Sequence, residues 1–196
     1  MKPYPRLTQS QSKFYRKLLQ KKYREAERKF IVEGMHLVEE VLQSDWEVEA
    51  VIISDDFPER KRVESVEHTA KGRGVQIVEA SELDIDRLSD TSTAPGILAI
   101  VSMKVNTAES LWTSRSKKSV IVALNDVSDP GNAGTIIRTC DWFGVDAVVL
   151  DENSVELYNP KVVRSTMGSV FHLPVIADLP LPDVFQQAHS KGYTIY

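Results

Sequence analysis

Three polar residues stand close together in the run NDVSDPGNAGTIIRTCDWFGVDAVVL, Asn125 to Leu150: Asp129, Asn132 and Arg138. Arginine keeps its charge at neutral pH and presents a planar fork of donors, so Arg138 can anchor a phosphate or balance charge developing on an oxygen. Asn132 donates and accepts at once, which suits it to orienting Arg138 or a ligand backbone, or to capping a helix. The plainer role for Arg138 is a surface ion pair with Asp126, Asp129 or Asp141. A second pair, Lys161 and Arg164, is spaced i, i+3, which sets both on one helix face within reach of a phosphate.

The elements that must hold these groups follow from the pattern around them. Val120 to Leu124 is apolar without alternation, as in a strand covered on both faces. Asp129-Pro130-Gly131-Asn132 is turn chemistry, and from Thr135 the positions Ile136, Ile137, Cys140 and Phe143 recur at helical spacing until Gly144. Ala147 to Leu150 returns as a strand. Such a strand, helix, strand unit places its ligand in the crevice outside the carboxyl end of the first strand, where Asp129, Asn132 and Arg138 lie. Gly131-x-x-Gly134 is not the G-x-G-x-x-G fingerprint of dinucleotide binding, and no well-placed acidic ribose partner accompanies it. Asn159-Pro160 starts a further helix that carries Lys161 and Arg164, and Gly168 ends the turn after it.

The pattern N-x-x-D-P-G-N-x-G-x-I-x-R-T-x-x-x-F-G resembles the first signature motif of the SpoU (TrmH-type) RNA ribose methyltransferases, of the knotted SPOUT class. YNPKVVRSTMGSVFHLPV, Tyr158 to Val175, is similar to the segment that follows that motif in the family. FIVEG, Phe30 to Gly34, and TSTAPGILAIV, Thr91 to Val101, look like the start and end of the small RNA-binding domain many members carry. The resemblance implies an α/β fold: a small N-terminal α/β RNA-binding domain followed by a parallel-sheet domain of the SPOUT, trefoil-knot type. It implies transfer of a methyl group from S-adenosylmethionine to a ribose 2′-hydroxyl, with ribosomal RNA as substrate. Arg138 matches the arginine assigned to activating the hydroxyl, and Asn132 matches the motif asparagine. Family members work as homodimers, and Val170, Phe171 and Leu173 are candidates for that interface or for the core.

The family's later glycine- and glutamate-containing loop and its Ser-x-Asn segment do not occur before Tyr196. Cofactor-binding residues are therefore expected beyond Tyr196, with the methyltransferase domain truncated before the knot in a fragment of a longer enzyme, and this chain alone is expected to be inactive. If Tyr196 is the natural end, the alternative is a non-catalytic RNA-binding protein of the same fold.

Charge separates along the chain. Residues 1–29 hold ten Lys or Arg, including Lys17, Lys21 and Arg24, against Glu25 and Glu27, a balance of +8 within a chain of net charge −4. The remainder is therefore −12. A basic helix with Phe14, Tyr15 and Tyr23 interleaved can grip phosphates and stack bases; equally, its aromatics can pack on the domain.

The spacing predicts a substrate-binding domain over 1–105, with a helix near Ser10–Lys29, a strand at Phe30–Val32 and a helix at Met35–Gln43. A strand at Val48–Ile53, a helix near Glu59–Lys71, a strand at Val75–Val78, a short helix capped by Ser81 and a strand at Ile97–Val101 complete it. Glu33 is placed to fix a loop. Residues 106–119, overlapping the polar stretch Met103–Lys118, read as a linker, and 120–196 as the SpoU-type domain, closing on a strand at Tyr193–Tyr196. Composition is that of a globular protein, 42% hydrophobic and 27% charged. No apolar run reaches the roughly 18 residues of a membrane span, and the basic N-terminus lacks the apolar core of a secretory signal, which points to the cytoplasm. Cys140 is alone, so no internal disulfide forms, and the four histidines show no metal-ligand spacing.

Overall fold

A computed structural model describes residues 4–58, 60–104, 106–112 and 119–196. Two compact units divide the chain, Met1–Lys104 and Val105–Tyr196.

The first unit is a mixed four-stranded sheet of β1 (Lys29–Glu33), β2 (Val48–Ser54), β3 (Gln76–Ala80) and β4 (Ile97–Ser102), in the order β1-β4-β2-β3. β4 runs antiparallel to both neighbours, and β2 and β3 run parallel. Register sorts the side chains. Ile31 faces Ile100, and Ile52 faces both Leu98 and Val78, so these share one side of the sheet. That side buries Tyr15 and Leu18 from the N-terminal helices, and Ile85 and Leu88 from α5 (Glu82–Leu88). The alternate residues, such as Phe30, Val32, Val51 and Ile97, are equally buried. Here α3 (Met35–Gln43) and α4 (Arg60–Gly72) pack against each other and against the strands, and Phe30 meets Trp46 edge-on at 5.9 Å. With both faces covered, β2 is apolar without a break from Ala50 to Ile53 and β4 from Ile97 to Val101.

Local chemistry fixes the joints. Ser81 caps α5 by accepting from the Asp84 N–H, as the sequence predicts. Glu33 is buried and accepts from Ser89 Oγ at 2.8 Å and the Asp90 N–H at 2.9 Å, tying down the loop that leads to β4. The exposed edge of β3 is covered by the N-terminal segment, with Leu7 N–H donating to the Glu79 carbonyl and Glu79 N–H to that of Pro5.

The single helix expected over Ser10–Lys29 is two, α1 (Gln9–Lys17) and α2 (Lys21–Glu27). Arg24 explains the break. Its guanidinium donates to the carbonyls of Leu18 at 2.9 Å and Leu19 at 2.8 Å, taking acceptors that a continuous helix would use, and Gln20 is extended.

The second unit is a parallel three-stranded sheet, β5 (Ile121–Leu124), β6 (Ala147–Leu150) and β7 (Val175–Ile176), in that order. β6, the central strand, is buried throughout, as are both residues of β7. β5 lies at the edge, with Ala123 exposed and Ile121 and Val122 half-buried, which corrects the reading of a strand covered on both faces. α6 (Pro130–Trp142) connects β5 to β6, α7 (Pro160–Ser165) packs on α6, and α8 (Leu181–Ser190) follows β7. Tyr193–Tyr196 forms no strand. A 3-10 turn covers Ala108–Trp112 within the stretch read as a linker, whose Ser114–Lys118 run lies outside the described residues. Val170, Phe171 and Leu173 are 2%, 4% and 6% exposed; they belong to the core, not to a subunit interface.

Candidate active site

α6 begins earlier than its apolar spacing suggests, because Asp129-Pro130 is N-cap chemistry. Asp129 Oδ1 accepts from the Asn132 N–H at 2.7 Å, and Pro130 takes the first helical position, where no N–H is needed. Asp129 is thus the cap, and Asn132 lies inside the first turn with its side chain exposed. This frees the Asn132 amide for a ligand.

Exposed residues Asn132, Thr135, Arg138, Thr139 and Trp142 form the outer arc of α6, while Ala133, Gly134, Ile137 and Cys140 face inward. Six residues of α-helix carry Arg138 about 9 Å along the axis from Asn132 and about 120° around it, with Thr135 midway. The structure does not bring Asn132 against Arg138, so the asparagine does not orient the guanidinium directly. Among the described residues Arg138 makes no ion pair or hydrogen bond, so the surface pairs with Asp126, Asp129 and Asp141 do not form.

Beside the cap opens a crevice of about 410 Å3, lined by Asp126, Val127, Ser128, Asp129, Asn132, Thr135 and Ile136. Its wall is held by groups the sequence reading missed. Asp151, directly after β6, accepts from the Asp126 N–H at 3.0 Å and from Ser154 Oγ, while Ser154 Oγ accepts from the Val127 N–H at 3.1 Å. Asp126 adopts a left-handed backbone, φ 55°, under this restraint. The Ser154 hydroxyl, with the Asp126 N–H and the Asn153 amide, holds the Asp151 carboxyl below its ordinary range against the opposing effect of burial. A depressed carboxylate stabilises above its unfolded value and loses that contribution as pH falls through the lowered one, so this clamp is intact at neutral pH and opens in acid. The sequence signal was an Asp-x-x-Ser turn immediately after a buried strand.

α7 brings the second basic pair. Asn159 Oδ1 caps it through the Lys161 N–H at 2.9 Å. The exposed Lys161 extends toward the first turn of α6, its Cε 4.0 Å from where a Cβ on Gly131 would sit. Arg164 is half-buried and already engaged within the protein.

On the first unit, Lys17 and Lys21 are exposed, as RNA contact requires. Arg24 is not available: it is 3% exposed, with its guanidinium spent on the Leu18 and Leu19 carbonyls. Tyr15 is likewise withdrawn, buried with its hydroxyl donating to Glu49 at 2.8 Å. Cys140 is buried, and burial raises its thiol pKa, which makes it unreactive.

S-adenosylmethionine needs an apolar slot for its adenine and acceptors for its ribose and ammonium group. Asp126 and Asp129 supply acceptors, but the crevice is open and offers only Val127 and Ile136 as apolar walls, which is no slot for an adenine. These residues do not fit the adenosyl group.

The parallel α/β unit with a crevice beside the cap of its first helix, together with a mixed-sheet unit of basic N-terminal surface, is the domain pairing of the SpoU-type RNA methyltransferases. Residues 119–196 match the SpoU rRNA Methylase family, and residues 10–99 match the MRM3-like substrate binding domain. The chain is 35% identical over 184 residues to the 23S rRNA (guanosine(2553)-2′-O)-methyltransferase RlmP of Bacillus subtilis, an alignment covering 94% of this chain and 68% of that protein. It is 28% identical to the human mitochondrial rRNA methyltransferase 3, covering 80% of this chain and 37% of the relative. Its fold matches an AdoMet-bound rRNA methyltransferase from Sinorhizobium meliloti with a TM-score of 0.78 at 29% identity, covering 95% and 68% of the two chains. The chain belongs to the SpoU rRNA methylase family.

Proposed function

We propose that this protein methylates ribosomal RNA, transferring the methyl group of S-adenosylmethionine to a ribose 2′-hydroxyl, with Arg138 and Asn132 as the groups that meet the substrate. The observation that carries the assignment of roles is a guanidinium held on the outer arc of the motif helix with no partner among the described residues. A ribose hydroxyl is a weak nucleophile. It must be held in line and its developing negative charge balanced as the proton leaves. Arg138 supplies a fixed positive charge for that oxygen and a fork for the adjacent phosphate. Asn132, at the crevice mouth, holds the RNA backbone, and Lys161 beside the same helix turn adds a phosphate contact. S-adenosylmethionine supplies the methyl group when bound.

A form that includes the cofactor segment expected beyond Tyr196, incubated with ribosomal RNA and methyl-labelled S-adenosylmethionine, should place label on a ribose. A 2′-O-methyl group blocks alkaline cleavage at the following phosphodiester, so the label is expected in an alkali-resistant dinucleotide; recovery on a free base would overturn the assignment.

The enzyme is proposed to act as a cytoplasmic homodimer. Among the described residues no helix is long and apolar enough to cross a membrane. At the end of α6, Trp142 is 86% and Phe143 77% exposed, two adjacent aromatics of the kind that anchor interfaces. Replacing both with glutamate is expected to halve the mass measured by light scattering at micromolar concentration. An unchanged mass would exclude this end of α6 from the interface.

A further inference from the structure

We infer that the exposed face of α1 and α2 is a docking surface for the RNA phosphate backbone that reads charge and shape rather than base sequence; this rests on the RNA methyltransferase reading above. Lys13, Arg16 and Lys17 stand at i, i+3 and i+4 on α1, all exposed, opposite the buried Tyr15 and Leu18. Helix geometry makes them neighbours about 5–6 Å apart at Cβ. Lys22 on α2 joins them through Tyr23: the Lys17 ammonium lies 5.6 Å and the Lys22 ammonium 4.7 Å from the centre of that ring. Two like charges are therefore gathered over an aromatic face. Among the described residues none of Lys13, Arg16, Lys17 and Lys22 has a carboxylate partner, whereas Lys21 pairs with Glu25, Lys29 with Glu49 and Arg6 with Asp55. Unneutralised cations on an otherwise acidic protein concentrate an anionic partner at this edge.

The aromatics decide what kind of RNA contact is made. A platform for single strands presents open rings to successive bases. Here Tyr15 is buried, Phe14 is half-buried with Lys29 over its ring at 5.9 Å, and Tyr23 is half-buried with its face taken by the two lysines. Phosphates are the remaining partner. Target choice is left to the crevice and loops elsewhere, and α1–α2 supplies grip.

Two fluorescent RNA hairpins of unrelated sequence, titrated with the whole chain over a range of salt, test this. Changing Lys13, Arg16 and Lys17 together to glutamine is expected to weaken both hairpins at least tenfold and to flatten the slope of log K against log salt by about 2–3 units, one per lost phosphate contact. Equal affinity and slope, or a loss confined to one hairpin, would overturn the proposal. Arg24→Met serves as the folding control: it should lower the denaturation midpoint without changing the salt slope, because that side chain bonds to carbonyls. Methyl transfer is followed in parallel. If the triple variant loses hairpin binding although a form carrying the cofactor segment expected beyond Tyr196 labels no ribose, the surface stands and the enzymatic reading falls; if that form labels ribose while the triple variant binds normally, the reverse holds.

Discussion

Arg138→Ala, in a form that includes the cofactor segment expected beyond Tyr196, is expected to lower the rate of methyl transfer at saturating RNA by about 10²–10³-fold, the usual cost of removing one donor that stabilises a developing oxyanion. RNA affinity should fall by no more than about fivefold, since one exposed phosphate contact is worth roughly 1 kcal/mol. The contrast follows from position. Arg138 is exposed and unpaired among the described residues, so its loss leaves no buried carboxylate behind and no gap in the core. A guanidinium that served as a folding contact would show the opposite pattern, with stability reduced and activity following it. Arg138→Lys keeps the charge and loses the fork, and should recover part of the rate. Single-turnover transfer on mapped ribosomal RNA separates rate from binding. Full turnover in Arg138→Ala would remove this residue from catalysis and leave Asn132 and Lys161 to be examined in its place.

Hydrophobic periodicity read α3 to its ends and β6 to its ends, because in both cases buried packing and local propensity agree. It failed where a side chain with two uses chose the less frequent one. Asp-Pro-Gly-Asn is turn chemistry in one context and an N-cap with proline at the first helical position in another, so α6 starts five residues before the expected Thr135. Arg24 counted as a surface charge in the sequence, yet it closes the α1–α2 joint from inside. Nothing in its spacing distinguishes a guanidinium that meets carbonyls from one that meets phosphates. Asp151 and Ser154 were missed for a related reason: their work is done across sequence separations of 25 and 27 residues, on backbone N–H groups of another loop. The residue types at the candidate site were legible. Their distances were not, and the separation of Asn132 from Arg138 by nearly two turns of helix appears only once α6 has its true beginning.

Gly134→Ala should destabilise the second unit by about 1–2 kcal/mol, although alanine in a helix interior ordinarily gains about 1 kcal/mol over glycine. Two effects oppose, and space decides between them. A Cβ at Gly134 would lie 2.7 Å from the Val162 carbonyl oxygen and closer still to Ser165 Cβ, both on α7. Val162 is fully buried, and the obstructing atom is backbone, so no side-chain rotation relieves the clash. α6 and α7 must move apart. Gly134→Val should cost more, about 3 kcal/mol, because it adds bulk and forgoes the propensity gain. Hydrogen exchange of α6 and α7 amides, read with a denaturation midpoint, locates the effect. The separation also draws Lys161 away from the first turn of α6, so RNA turnover should fall further than stability alone explains. Stabilisation by Gly134→Ala would mean that the two helices are not in this close contact, and that Lys161 is not held beside the crevice by their packing.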